Sequence, residues 1–151
     1  MSENIESYKK SRNPLTWWVT VVHQNDSYCT TVKYRINGIK RDEEIHEGAT
    51  MVFTEKDLIK KIPYDVEGTF GLVNMIRNAS IDCGNIVNEI NFKIKEVADI
   101  AKRHQGSENE VAKWFESKEA SSLLREVAFY QAFIKMIKGK KAADLLVTVD
   151  I

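Results

Sequence analysis

An α+β fold is predicted by three features of the chain: period-two apolar patterning over 14–53, apolar spacing of three and four over 54–139, and an alternating run near the C-terminus. The first implies an N-terminal antiparallel β-meander of about four strands. The second implies long C-terminal helices forming a helical hairpin or bundle, and the third a final strand over 144–150. Strands followed by helices argue against a doubly wound parallel sheet. The 151 residues, 43% hydrophobic and 29% charged, suit a single domain over 14–151. A flexible arm is expected over 1–13, made mildly basic by Lys9, Lys10 and Arg12 and ended by Pro14.

The first strand starts at Thr16. Trp17, Val19 and Val21 share one face, and Trp18, Thr20 and Val22 the other. Gln24-Asn25-Asp26-Ser27 supplies a turn, because short polar side chains bond their own backbone. The second strand, 28–36, turns Tyr28, Val32, Tyr34 and Ile36 inward and Cys29, Thr31, Lys33 and Arg35 outward. Asn37-Gly38 is a strong hairpin signal, since both positions of a type I′ turn need positive φ. A two-residue loop there pairs Ile36 with Ile39, Arg35 with Lys40 and Lys33 with Asp42. It predicts a third strand over 39–45, with Glu47-Gly48 turning the chain into a fourth over 50–53.

Thr54 and Asp57 have capping-box spacing, and Leu58, Ile59 and Ile62 form an apolar stripe that Pro63 stops. Phe70, Val73, Ile76, Val87, Ile90, Ile94, Val97 and Ala101 then recur at threes and fours, with Glu89/Lys93 and Asp99/Arg103 spaced as i, i+4 ion pairs. Ser80 and Gly84 leave two alternatives, a break near 79–82 or one helix reaching His104. Gln105-Gly106 ends this segment, Ser107 with Glu110 opens the next, and after Ser117 an apolar helix runs over 120–138 to Gly139.

The charges balance at 22 basic and 22 acidic residues, so no global field steers the chain to nucleic acid or an anionic membrane. The first ten residues lack the apolar core of a signal peptide, and no run approaches the length of a spanning helix. With Cys29 and Cys83 isolated, a cytoplasmic protein without membrane association is expected. His23, His46 and His104 sit near element ends, and no metal box, phosphate loop or nucleophile turn occurs. No catalytic residue, metal ligand or cofactor is therefore assigned. Asp42 and Glu44 share a strand face but pair more naturally with cations, and Glu116-x-Lys118 falls at a helix boundary rather than on a strand.

Two groups of residues remain as candidates. Lys33, Arg35, Lys40 and Arg41 cluster around the hairpin tip, with Trp18 or Tyr34 as a stacking plane, and form a candidate anion or ligand site. Phe129, Tyr130, Phe133, Ile134, Met136 and Ile137 spread apolar surface beyond the stripe that one helix contact needs. One face of that helix suits the helix around 86–101. The rest needs either the sheet of the same subunit or a symmetric copy.

The expected function is a small non-enzymatic binding or inhibitor-type protein, self-associating through its C-terminal helices and recognising a protein or a phosphate-bearing ligand such as a nucleotide. Its composition resembles that of phage and mobile-element accessory proteins. The alternatives are a nucleic-acid-binding accessory protein using the hairpin tip, and a phosphodiester-acting enzyme assembled from His23, His46, Asp42 and Glu44.

Overall fold

The computed structural model describes residues 15–36, 45–63, 65–104, 107–139 and 142–149, and the fold is α+β. In chain order the elements are β1 (Leu15–Gln24), β2 (Ser27–Ile36), β3 (His46–Thr54), α1 (Glu55–Ile59), α2 (Gly68–Arg103), α3 (Ser107–Glu116), α4 (Lys118–Lys138) and β4 (Leu145–Val149). The four strands form one antiparallel sheet in the order β3-β2-β1-β4. β1 and β2 alternate as their sequence dictates, and Trp17, Val19, Tyr28 and Val32 are buried on the inner face. Asn25, with φ 57°, makes the turn between them, a conformation that its short side chain tolerates. The Asp26 carbonyl then accepts from Glu55 N at 2.8 Å, fastening this turn to the start of α1.

The N-terminal meander has three strands within the described residues, and the fourth place in the sheet is taken by the C-terminal strand. Glu47-Gly48 is not a turn. It lies inside β3 at a register shift opposite Val32 and Lys33, where one residue too many is absorbed as a bulge. A Cβ on Gly48 would meet Phe115 Cδ1 and the Val32 carbonyl at 3.4 Å each, so the small residue serves close packing rather than chain reversal. Lys33 consequently faces Glu47, and Tyr34 faces His46, while the expected partner Asp42 lies outside the described residues. Phe53 lies opposite Tyr28 with its ring buried, and this inward demand sets the register. Asn37-Gly38 and residues 39–44 lie outside the described residues.

The long segment is one helix of 36 residues, α2, in which neither Ser80 nor Gly84 makes a break. It runs antiparallel to α4, which lies between it and the sheet. α4 buries Leu124, Val127, Ala128, Ala132 and Phe133, with contacts to β1, β2 and β3 on one side and α2 on the other. Phe129 meets Phe53 of β3 edge-to-face at 5.2 Å. Trp17, fully buried, donates from Nε1 to Asn91 Oδ1 of α2 at 2.9 Å, joining sheet and outer helix through the core. Lys93 turns to Glu119 of α4 at 3.3 Å rather than to Glu89. Ser117 opens α4, its hydroxyl accepting from Ala120 N, and Gly139 closes it at φ 65°, ψ −141°, a region open only to glycine.

Beyond Gly139 the chain returns to the free edge of β1. Asp144 accepts from Val21 N at 3.2 Å and pairs with Lys135 at 3.4 Å, while Gln131 Nε2 donates to the Ala143 carbonyl at 2.7 Å. These contacts set Leu145 opposite Val19 and Val149 opposite Leu15. Among the described residues no helix is long and apolar enough to cross a membrane.

Candidate functional site

Among the described residues, the helices cover one face of the sheet. On the open face the register gives the row Leu146, Trp18, Lys33, Glu47, then Thr20, Thr31, Thr50, then Val22, Cys29, Val52. Trp18, Lys33 and Arg35 thus share a surface, as their alternation requires. A shallow depression of about 340 Å3 there is bordered by Trp18, Arg35, Ile45, Asp144 and Leu146. Tyr34 does not belong to it. Adjacent strand residues point to opposite faces, and Tyr34 is buried inside, stacked at 4.2 Å on Phe115 and 5.1 Å from His46. Burial, and then the Glu116 carboxylate, push its phenol pKa up. Lys40 and Arg41 lie outside the described residues.

The apolar candidates on α4 have partners within the chain. Phe133 and Ile134 are buried, while Phe129, Tyr130, Met136 and Ile137 are half-buried against the same core. The second neighbour that this helix demands is its own sheet, so its apolar breadth does not by itself require another copy. His23 stacks on Tyr28 at 4.2 Å and His46 on Tyr34. Their partners are six residues apart on β2, about 20 Å along an extended strand, so the two imidazoles cannot meet in one site. Asp42 and Glu44 lie outside the described residues, among which no three His, Cys, Asp or Glu converge on a metal position.

The most chemically defined concavity is a cleft of about 450 Å3 between α1 and α4. Its floor is aromatic: Phe53 from β3, with Phe129 and Tyr130 from α4. Its rim carries Lys60 and Lys61 at the end of α1 and Arg125 on α4. Lys61 Nζ stands 5.6 Å from the Phe129 ring centre and 5.1 Å from that of Tyr130, and Arg125 Cζ stands 5.5 Å from that of Phe53. The negative ring faces hold these cations over the floor. Among the described residues no carboxylate lies within 4.0 Å of Lys60, Lys61 or Arg125.

Two carboxylates, Asp57 and Glu126, also border the cleft. Asp57 is engaged in capping α1: it accepts from Thr54 N at 3.0 Å while its own N–H donates to Thr54 Oγ1 at 3.2 Å. That backbone hydrogen bond first, then the Thr54 side chain, Lys60 and Arg125, hold its carboxyl below the usual range. Sequence reasoning reached the capping box and both α4 aromatics but not the cleft. Lys60-Lys61 precedes Pro63, and Arg125 stands four residues before Phe129, so each half has a readable local signal. Their meeting depends on how α1 lies on α4.

No protein-family model, curated protein or solved structure matches this chain.

Proposed function

We propose that this is a binding protein whose cleft between α1 and α4 takes a small molecule with a phosphate or carboxylate group and a planar apolar body, of the kind a mononucleotide presents. The observation that carries this reading is the convergence of Lys60, Lys61 and Arg125, with no carboxylate within 4.0 Å among the described residues, over Phe53, Phe129 and Tyr130. The volume falls within the roughly 300–1,000 Å3 of small-ligand sites. An anion there gains charge-assisted hydrogen bonds, and the rings supply a stacking surface. The test is nuclear magnetic resonance titration of the full chain with inorganic phosphate and with adenosine monophosphate. Shifts centred on Phe53, Phe129 and Tyr130, tighter for the nucleotide, are expected, and the Lys61→Ala, Arg125→Ala double variant should weaken binding at least about tenfold. Unchanged spectra at millimolar ligand would overturn the proposal.

A second reading, nucleic-acid binding by the open sheet face, is favoured by one observation: Trp18 shares that face with Lys33 and Arg35. A flat aromatic beside cations is a stacking platform for unpaired bases. Titration with a short single-stranded oligonucleotide at two salt concentrations tests it. The expected result is salt-sensitive binding lost in Trp18→Ala with Lys33→Ala, and salt-independent or absent binding contradicts it.

A further inference from the structure

Several large apolar side chains on α2 are exposed. Phe70 is 79% exposed, Ile81 52% and Phe92 60%, and each is separated from the next by eleven residues. Eleven residues make three helical turns with only about 20° left over, so these side chains stand in one line at intervals of about 16 Å. The line runs opposite the buried face of Ala79, Cys83, Ile90 and Ile94. The start of this helix is only partly covered, with Met75 packed against the core. No residue from Gly68 to Asn78 is buried, and Leu72, on the side of Ile90, is 39% exposed.

The pattern is symmetric about Ile81. Phe70 and Phe92 are equally distant from it, as are Asn74 and Asn88, Arg77 and Asn85, and Glu67 and Lys95. An antiparallel copy crossing at Ile81 therefore sets phenyl on phenyl, amide on amide, guanidinium on amide carbonyl, and carboxylate on ammonium. A parallel copy would instead oppose Arg77 to Arg77, Lys95 to Lys95 and Glu67 to Glu67. Glu67 and Lys95 are both exposed, with no ion-pair partner among the described residues.

We propose that a second copy of this chain packs on the outer face of α2, the two helices antiparallel about a two-fold axis through Ile81. The interface is isologous, so each stripe covers its own image and assembly stops at two. It moves the expected self-association from α4, whose apolar side chains are used internally, to α2, and it does not rest on the ligand reading of the cleft.

Sedimentation velocity of the full chain at micromolar concentration should give twice the chain mass. Ile81→Asp and Phe92→Asp should give monomers with unchanged helical circular dichroism, since both side chains point away from the core. Glu67→Lys or Lys95→Glu alone should raise the dimer dissociation constant roughly two- to thirtyfold through two symmetric ion pairs, and the combined reversal should restore it. A wild-type monomer at 100 micromolar (roughly a hundredfold above a micromolar dissociation constant) overturns the proposal. So does a dimer that survives Ile81→Asp, or a combined reversal as weak as either single one.

Discussion

Thr30 sits at 0% exposure on the inner face of β2, and its hydroxyl meets no hydrogen-bonding partner among the described residues. A buried hydroxyl left unsatisfied costs about 1–3 kcal/mol, whereas a methyl of the same shape does not. Thr30→Val is therefore expected to raise stability by about 1 kcal/mol, read as a higher urea midpoint at unchanged slope. The cysteines differ in a comparable way. Cys29 is half-exposed on the open sheet face, while burial pushes the Cys83 thiol up to about 11. At pH 8 a maleimide should label Cys29 in the folded protein and Cys83 only after denaturation, as peptide mass spectrometry would show. Alternation alone reveals both the burial of Thr30 and the exposure of Cys29. The missing partner of Thr30 is invisible without the cross-strand neighbours.

At the scale of elements, α1 is only five residues long and depends on its cap. Thr54→Ala should remove about 1 kcal/mol. Because the Asp57 carboxyl is held below its ordinary value, its stabilising contribution is fully present above the usual carboxylate pKa of about 4 and is lost as pH falls through the folded value. Denaturation midpoints measured from pH 6 to pH 3 should therefore fall less in Asp57→Asn than in wild type. Such local features were readable from sequence: the Thr54/Asp57 spacing, the Asn25 turn and the closing Gly139 each carry their own physical reason. Glu47-Gly48 misled because a glycine after a polar residue signals a turn equally well. The pairing with Val32 and Lys33 identifies it as a bulge, and Phe115, far along the chain, packs against Gly48. The breadth of α4 left two explanations open, and contact with its own sheet supplies one of them.

At the scale of the whole molecule, the sheet is closed by residues from opposite ends of the chain, since β4 covers the β1 edge that would otherwise be unpaired. Truncation after Gly139 removes the buried Val149 and the half-buried Leu145 and Val147 together with five residues of ladder. At roughly 1.5–3 kcal/mol per fully buried side chain, these one buried and two half-buried side chains account for about 3–6 kcal/mol, comparable with the lower end of a small domain's stability of about 5–15 kcal/mol. Thermal melting of the truncated chain should lose its cooperative step, with a hydrophobic dye binding already at room temperature. The cleft was out of reach of sequence for the same topological reason, because Lys61 and Tyr130 meet only when α1 is laid across a helix that begins at Lys118. The placement of β4 also affects synthesis. On the ribosome, β1 emerges some 120 residues ahead of the strand that completes it, a wait of about 6–24 s at ordinary elongation rates. Throughout that interval the nascent chain presents a bare hydrogen-bonding ribbon with Trp17 and Val19 at its margin, so chaperone capture should matter most while the polypeptide is still tethered.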